Sequence, residues 1–276
     1  MQKIFQNIDM SKVTLVSALF NIKREEMDGR TWEEYLKWFD ITLKLKCPMV
    51  LFVSEDLFSF VEERRKDIPT KVIVQTIEEI PYYYLKDKMD IILQSHDYKN
   101  KMEVLDRIEC NYSLYSIIQY SKFKWIEKVI ENNDFGSELF FWIDAGASRF
   151  FDGFDLEKEF PGVAANKELN ELGEKVLIQQ NMESYSDLVS SNALDKSYFY
   201  DARSFVCGTF FGMHKNIHSK ILSEIENILF NDMISKNNLN NEQIALGYLV
   251  KNKPELFEIF YRNNWKQIEL FTELTK

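Results

Sequence analysis

Apolar residues along the chain alternate between short unbroken runs and longer stretches spaced at helical period. The runs 13–20 (VTLVSALF), Met49–Val53 and 72–74 predict strands, Met49–Val53 a buried one. Between them, 31–46 carries Trp32, Tyr35, Leu36, Phe39 and Leu43 at helical spacing, with Thr31 and Glu34 as a capping box. Residues 55–66 predict a second helix with Leu57, Phe58 and Val61 inward, and its Arg64-Arg65-Lys66 end reads as solvated cations at the negative end of the helix dipole. The IPYYYL stretch (80–85) predicts an aromatic loop or short strand, with Tyr82, Tyr83 and Tyr84 favoured as core residues. Weak helical character follows over 87–98, and a strong helix over 112–130 with Leu114, Ile118, Trp125 and Val129 on one side.

The stretch 140–151, FFWIDAGASRFF, is the pivot. Phe140, Phe141, Trp142 and Ile143 predict a central strand buried on both faces, running directly into Asp144, Ala145 and Gly146. An acidic residue at the carboxyl end of such a strand lies where open α/β sheets bind ligands, and small residues after it allow close approach to the backbone. Asp144 also suits a turn cap, so both readings stand at this point. Beyond it, 152–192 is more polar and predicts loops and short helices. The segment 204–213 (SFVCGTFFGM) predicts one or two short strands, 215–236 an amphipathic helix, 237–241 a turn and 242–250 a last helix before Pro254. Alternation of strands and helices over the first half predicts an α/β sheet built from crossover units, and no internal repeat or linker divides the chain.

Composition narrows the function. The 276 residues are 45% hydrophobic and 14% aromatic, enough for a packed core. A formal charge of −10 argues against general nucleic-acid backbone binding. Cys47, Cys110 and Cys207 are widely spaced and form no CxxC or Cys/His pattern, which disfavours a disulfide framework or structural zinc. Neither a signal-peptide core nor an apolar run long enough for a membrane span occurs, so a soluble, cytoplasmic protein is expected.

The stretches SKFKWIEKVIENNDF (121–135), FFWIDAGASRFF (140–151), GTFFG (208–212) and NNEQ (240–243), with VTLVSALFNIKR (13–24) and RTWEEYLKWF (30–39), together resemble the HtrL/YibB family of bacterial proteins and, more broadly, glycosyltransferases of the GT-A fold. The resemblance runs from about residue 13 to 261. It implies one GT-A-like, Rossmann-related domain over 1–276, with a mixed, mainly parallel central sheet flanked by helices. A nucleotide-binding half would span about 13–151 and an acceptor and sugar half about 152–276. It implies a transferase moving a sugar, as a hexosyltransferase does, from a UDP-linked nucleotide-sugar donor to a cell-surface glycan such as lipopolysaccharide, lipooligosaccharide or capsule. Such a protein would work in the cytoplasm, with peripheral association at the inner face of the membrane.

The resemblance also distributes roles. Ala18, Asn21 and Arg24 would hold the nucleotide. Asp144, with Ala145 and Gly146, matches the Asp-x-Asp motif that holds a divalent metal (Mn2+ or Mg2+) on the donor diphosphate, although Gly146 stands where the second acid belongs. His214 is a candidate second ligand. Lys122 and Arg149 are candidate phosphate partners, each equally readable as an ordinary surface cation. Gly208 and Thr209 would let a sugar lie against the backbone, and Glu242 and Gln243 would stand beside it. Asn240 with Gln243 also reads as a helix-start pattern, and Glu242 as a first-turn acid. If the reaction inverts, Glu242 would be the base for the acceptor hydroxyl; if it retains, Glu242 would position the donor sugar. Two rivals stand beside the transferase: a non-catalytic nucleotide-sugar-binding or scaffold protein of a glycan pathway, and a hydrolase pairing Asp144 with Asp152 or Glu242.

Overall fold

The computed structural model describes residues 13–151, 153–181, 192–261 and 268–276, with the side chains of 166–168 also outside the description. Asp152, one half of the hydrolase pairing, lies outside the described residues. Strands β1 (Val13–Leu19), β2 (Met49–Val53), β3 (Thr70–Val74), β4 (Leu139–Ile143), β5 (Val176–Gln180), β6 (Val206–His214) and β7 (Phe257–Phe260) form one seven-stranded sheet in the order β3-β2-β1-β4-β6-β5-β7. The pairs β1/β2, β2/β3, β1/β4 and β5/β7 are parallel, whereas β6 runs antiparallel to both β4 and β5. This is a mixed, mainly parallel sheet flanked by helices, as expected.

Every residue of β1, β2 and β4 is buried, because both faces of the sheet are covered. Alternate residues of one strand therefore enter two different cores. Val16, Ala18, Phe52, Phe140 and Trp142 pack with helices Ser113–Asn132, Lys215–Asn227 and Glu242–Asn252. Leu15, Leu19, Leu51, Phe141 and Ile143 pack with helices Trp32–Thr42 and Phe58–Arg65 and with Phe271 of helix Glu269–Glu273. The first core is bound by a run of stacked rings, Phe52, Trp125 and Trp142, with Trp125 and Trp142 centroids 5.9 Å apart.

Several sequence expectations are corrected. The polar stretch 152–192 contains helix Val163–Glu171 and strand β5, and β7 follows Pro254 where no strand was expected. Arg65 is not a solvated helix-end cation: it is 2% exposed, and its guanidinium donates to the carbonyls of Leu43, Leu45 and Cys47 at 2.8, 3.0 and 2.6 Å. It thereby satisfies the chain that leads into β2, which would otherwise bury bare acceptors. Of the three adjacent tyrosines Tyr82 is buried, with its hydroxyl on Glu226, but Tyr84 is exposed. The helix expected over 215–236 is α-helical only to Asn227, then widens into a π turn over Ile228–Met233.

Strand order decides where a ligand fits. From β1 the chain moves outward one way through β2 and β3, then returns to place β4 on the other side of β1. The crevice beyond the carboxyl ends of β1 and β4 is thus a topological switch point, where the connections diverge and leave an opening.

Candidate functional site

A cleft open to solvent lies at that switch point. Its floor is 18–22 from the end of β1 and Trp142, Asp144, Ala145 and Gly146 from the end of β4. Val16 is in register with Trp142, so continuing the pairing sets Ala18 beside Asp144. Arg24, Glu25, Arg30, Trp32 and Tyr35 form one wall, Tyr115, Ile118 and Gln119 of helix Ser113–Asn132 another, and Arg149 closes the end. Of the expected nucleotide-holding residues, Ala18, Asn21 and Arg24 all line this cleft.

Asp144 faces the same side of the sheet as Trp142, two residues earlier, and therefore meets helix Ser113–Asn132. Its Oδ1 accepts the Trp142 indole N–H at 2.7 Å and lies 3.1 Å from Lys122 Nζ. Neither contact is a turn cap. Lys122 reaches this point from the helix interior, 1% exposed, and also donates to Glu242 Oε1 at 2.7 Å and to the Gly208 carbonyl at 3.0 Å. Its ammonium lies 5.5 Å from the centre of the Trp142 ring. Burial opposes charge on Lys122, but Asp144 and Glu242 outweigh it and hold the ammonium above its ordinary pKa. Glu242 is pushed upward by burial, against the pull of Lys122.

Glu242 is 1% exposed, and its buried Oε2 has no hydrogen-bond partner among the described residues. It stands behind Lys122 and is not among the residues lining the cleft. Asp144, 27% exposed, is the member of the cluster that reaches the cleft. The chain close to Glu242 is fitted to it. A Cβ on Gly208 would fall on Glu242 Oε1 and the Gln243 side chain, while Gln243 Oε1 accepts the Gly208 N–H at 3.0 Å. Thr209 contributes its carbonyl, which accepts the Asp144 N–H at 2.9 Å. The helix that carries Glu242 starts on Asn241, whose Oδ1 accepts the Ile244 N–H and whose amide donates to Glu109. Asn240, expected to cap it, instead donates to the carbonyls of Phe199 and Asp201.

His214 is not brought to the site. It ends β6 opposite Leu139, at the far end of β4, roughly 16 Å along the strand from Asp144. Its Nδ1 accepts the Asn216 N–H, and its Nε2 lies 3.6 Å from Glu138. A strand's length separates it from any ion on Asp144.

The donors near Asp144 suit a resident Mg2+ or Mn2+ poorly. Among the described residues no group of three or more His, Cys, Asp or Glu side chains could hold a metal ion. Asp144 Oδ1 is already taken by an ammonium and an indole. With its ammonium 3.1 Å from Asp144 Oδ1, Lys122 would repel a dication held by that carboxylate. The carboxylate of Asp144 would have to overcome that repulsion with only substrate and water oxygens to help.

Arg30, Trp32, Tyr35, Tyr115 and Gln119 were not anticipated as cleft residues. Arg24 is tied to Asp28 and donates to Tyr35 Oη at 2.6 Å; Arg30 lies 3.9 Å from Asp28. The guanidinium of Arg149 lies 5.3 Å from the Trp38 ring and 4.6 Å from the Phe150 ring, with no carboxylate partner among the described residues.

Residues 11–273 match a family described as bacterial protein of unknown function (HtrL_YibB). The chain belongs to that family. Like this chain, Protein HtrL of Escherichia coli (strain K12) is a relative, 26% identical over 147 residues. That match spans 49% of this chain and 51% of HtrL, about half the length of each. Among solved structures, the apo form of mouse xyloside xylosyltransferase 1 is similar over 90% of this chain and 84% of its own, at 10% identity and a TM-score of 0.43. Core-mannan synthase A from Aspergillus fumigatus, in a Mn/GDP form, is similar over 91% and 72%, at 10% identity and a TM-score of 0.47. Among the described residues of this family member, no helix is long and apolar enough to cross a membrane.

Proposed function

We propose that this HtrL_YibB protein is a nucleotide-sugar-dependent glycosyltransferase whose donor occupies the cleft at the β1/β4 switch point. The observation that carries the reading is the composition of that cleft. Three arginines and several aromatic rings surround Asp144 at the carboxyl ends of parallel strands, with Glu25 the second carboxylate of the lining. Arginines suit phosphate oxygens, and rings such as Tyr35 and Tyr115 suit the face of a base. Residues 13–151 would hold the nucleotide, while 152–276 would bring β6, with Gly208 and Thr209, and the helix of Glu242 to the sugar side.

In the proposed step an acceptor hydroxyl oxygen bonds to the anomeric carbon as the bond from that carbon to the diphosphate oxygen breaks. The bonding electrons leave with the nucleoside diphosphate, and the hydroxyl proton passes to a base. Asp144 is the carboxylate placed to face this step. Glu242 acts through Lys122, whose position it fixes, and is a positioning residue. A UDP-linked hexose as donor, a surface glycan as acceptor and work at the inner face of the membrane rest on the family resemblance alone and belong to the same proposal.

The test is release of nucleoside diphosphate from a panel of nucleotide sugars, with a glycan acceptor extract. One donor is expected to turn over, and Asp144→Ala to lower the rate by roughly 100-fold or more. Equal turnover by Asp144→Ala and wild type would remove Asp144 from the chemistry.

A further inference from the structure

We propose that the cleft handles its diphosphate without a resident divalent metal, Arg149 meeting the phosphates in the place where the metal motif would carry its second carboxylate. This rests on the nucleotide-sugar reading above and goes beyond it. The sequence departs from Asp-x-Asp at Gly146, and the structure shows what fills the space. A Cβ built on Gly146 would lie 3.5 Å from Arg149 Nη1 and 3.3 Å from the Trp38 ring. A larger side chain there would press on the guanidinium and its supporting ring. A cation thus replaces an anion at the mouth of the motif.

Two further observations point the same way. Arg24 is bound to Asp28, and Arg30 lies close to the same carboxylate, so part of their charge is already offset. Arg149 is half-buried on the cleft wall, held by ring contacts with Trp38 and Phe150, and its fork has no carboxylate among the described residues. Guanidinium forks bind phosphate oxygens in pairs, and a fork fixed in advance loses little freedom on binding. At the other end of the motif, Lys122 occupies one oxygen of the Asp144 carboxylate, Oδ1, at 3.1 Å. The charge of this site is built from side chains, with Lys122 fixing Asp144 and Arg149 left open to the ligand.

The experiment is calorimetric titration of the full chain with UDP, and in parallel GDP, CDP and ADP, in EDTA and again in excess Mn2+. At least one diphosphate is expected to bind in EDTA, with an affinity within about twofold of that in Mn2+. Arg149→Gln is expected to weaken it roughly tenfold or more in both conditions. Arg149→Lys is expected to recover part of the loss, since a point charge replaces the fork. Binding that needs Mn2+, or that Arg149→Gln leaves unchanged, would overturn the inference and leave the nucleotide reading standing. No binding of any diphosphate in either condition would overturn that reading, and this inference with it. The wild-type comparison in EDTA needs no variant, so it stands even if a substitution disturbs folding.

Discussion

Lys122 keeps its charge in a dry interior because two carboxylates and a carbonyl surround it, and each of those groups is buried at some cost unless the ammonium is there. Lys122→Met should therefore destabilise the fold by about 3–5 kcal/mol in chemical denaturation, by leaving Glu242 charged and unpaired. The double change Lys122→Met with Glu242→Gln should restore much of that loss, since it removes both buried charges together. The sign of the pH dependence follows from the raised ammonium. Its contribution is present below the ordinary lysine value of 10.5 and is lost as pH rises through the higher folded value. Wild type should thus lose stability in strong alkali more steeply than Lys122→Met, as measured by unfolding at stepped pH. The raised Glu242 has the same sign in a lower window: its contribution is present in acid, below the ordinary value of 4.5, and is lost as pH rises through its higher folded value. Nothing in the sequence around Lys122 separated it from a surface lysine, since its partners stand 22 and 120 positions away.

The elements that position the cluster depend on small residues and caps. Gly208→Ala would drive a methyl into Glu242 and Gln243, and should destabilise by about 1–3 kcal/mol while weakening ligand binding, because Lys122 must move with Glu242. Gly212→Ala meets the Phe141 ring in the core instead. It should cost similar stability, and ligand affinity should survive in the fraction that folds. Comparing melting and ligand affinity for the pair checks both statements. Asn241→Ala removes the helix cap and the bond to Glu109, at a cost of about 1–2 kcal/mol in denaturant unfolding.

At this scale the sequence was legible where one local pattern dominates. Strands β1, β2 and β4 are apolar without a break, the Thr31–Glu34 capping box forms as expected, and the long helix falls at Ser113–Asn132. It was opaque where structure depends on distant partners. β5 (VLIQQ) buries Gln179 and Gln180, and β7 (FEIF) is four residues long, so neither carries a buried-strand pattern. Arg65 reads as a charged helix end because the carbonyls that bind it arrive from 43–47. Asp144 and the end of β1 could be read as site residues because strand ends bear ligands in any such sheet. Burial of Glu242, and the placing of His214 at the opposite end of β4, required the register of β4 with β6.

At the scale of the whole molecule, the order β3-β2-β1-β4-β6-β5-β7 opens one crevice between diverging connections, and the charged and aromatic residues of 18–35 and 115–149 converge on it. The fold alone would accommodate many chemistries. The central claim is that this crevice takes a nucleotide-sugar donor. It is tested most directly by thermal shift of the full chain against a panel of nucleoside diphosphates and nucleotide sugars, repeated with Asp144→Ala and Arg149→Gln. A ligand that binds only the folded state raises the melting temperature with its concentration. One nucleotide series should raise the melting temperature of wild type, and Arg149→Gln should reduce that shift. Flat melting curves across the whole panel would contradict the nucleotide reading, whereas an equal shift in Arg149→Gln would remove only Arg149 from the diphosphate.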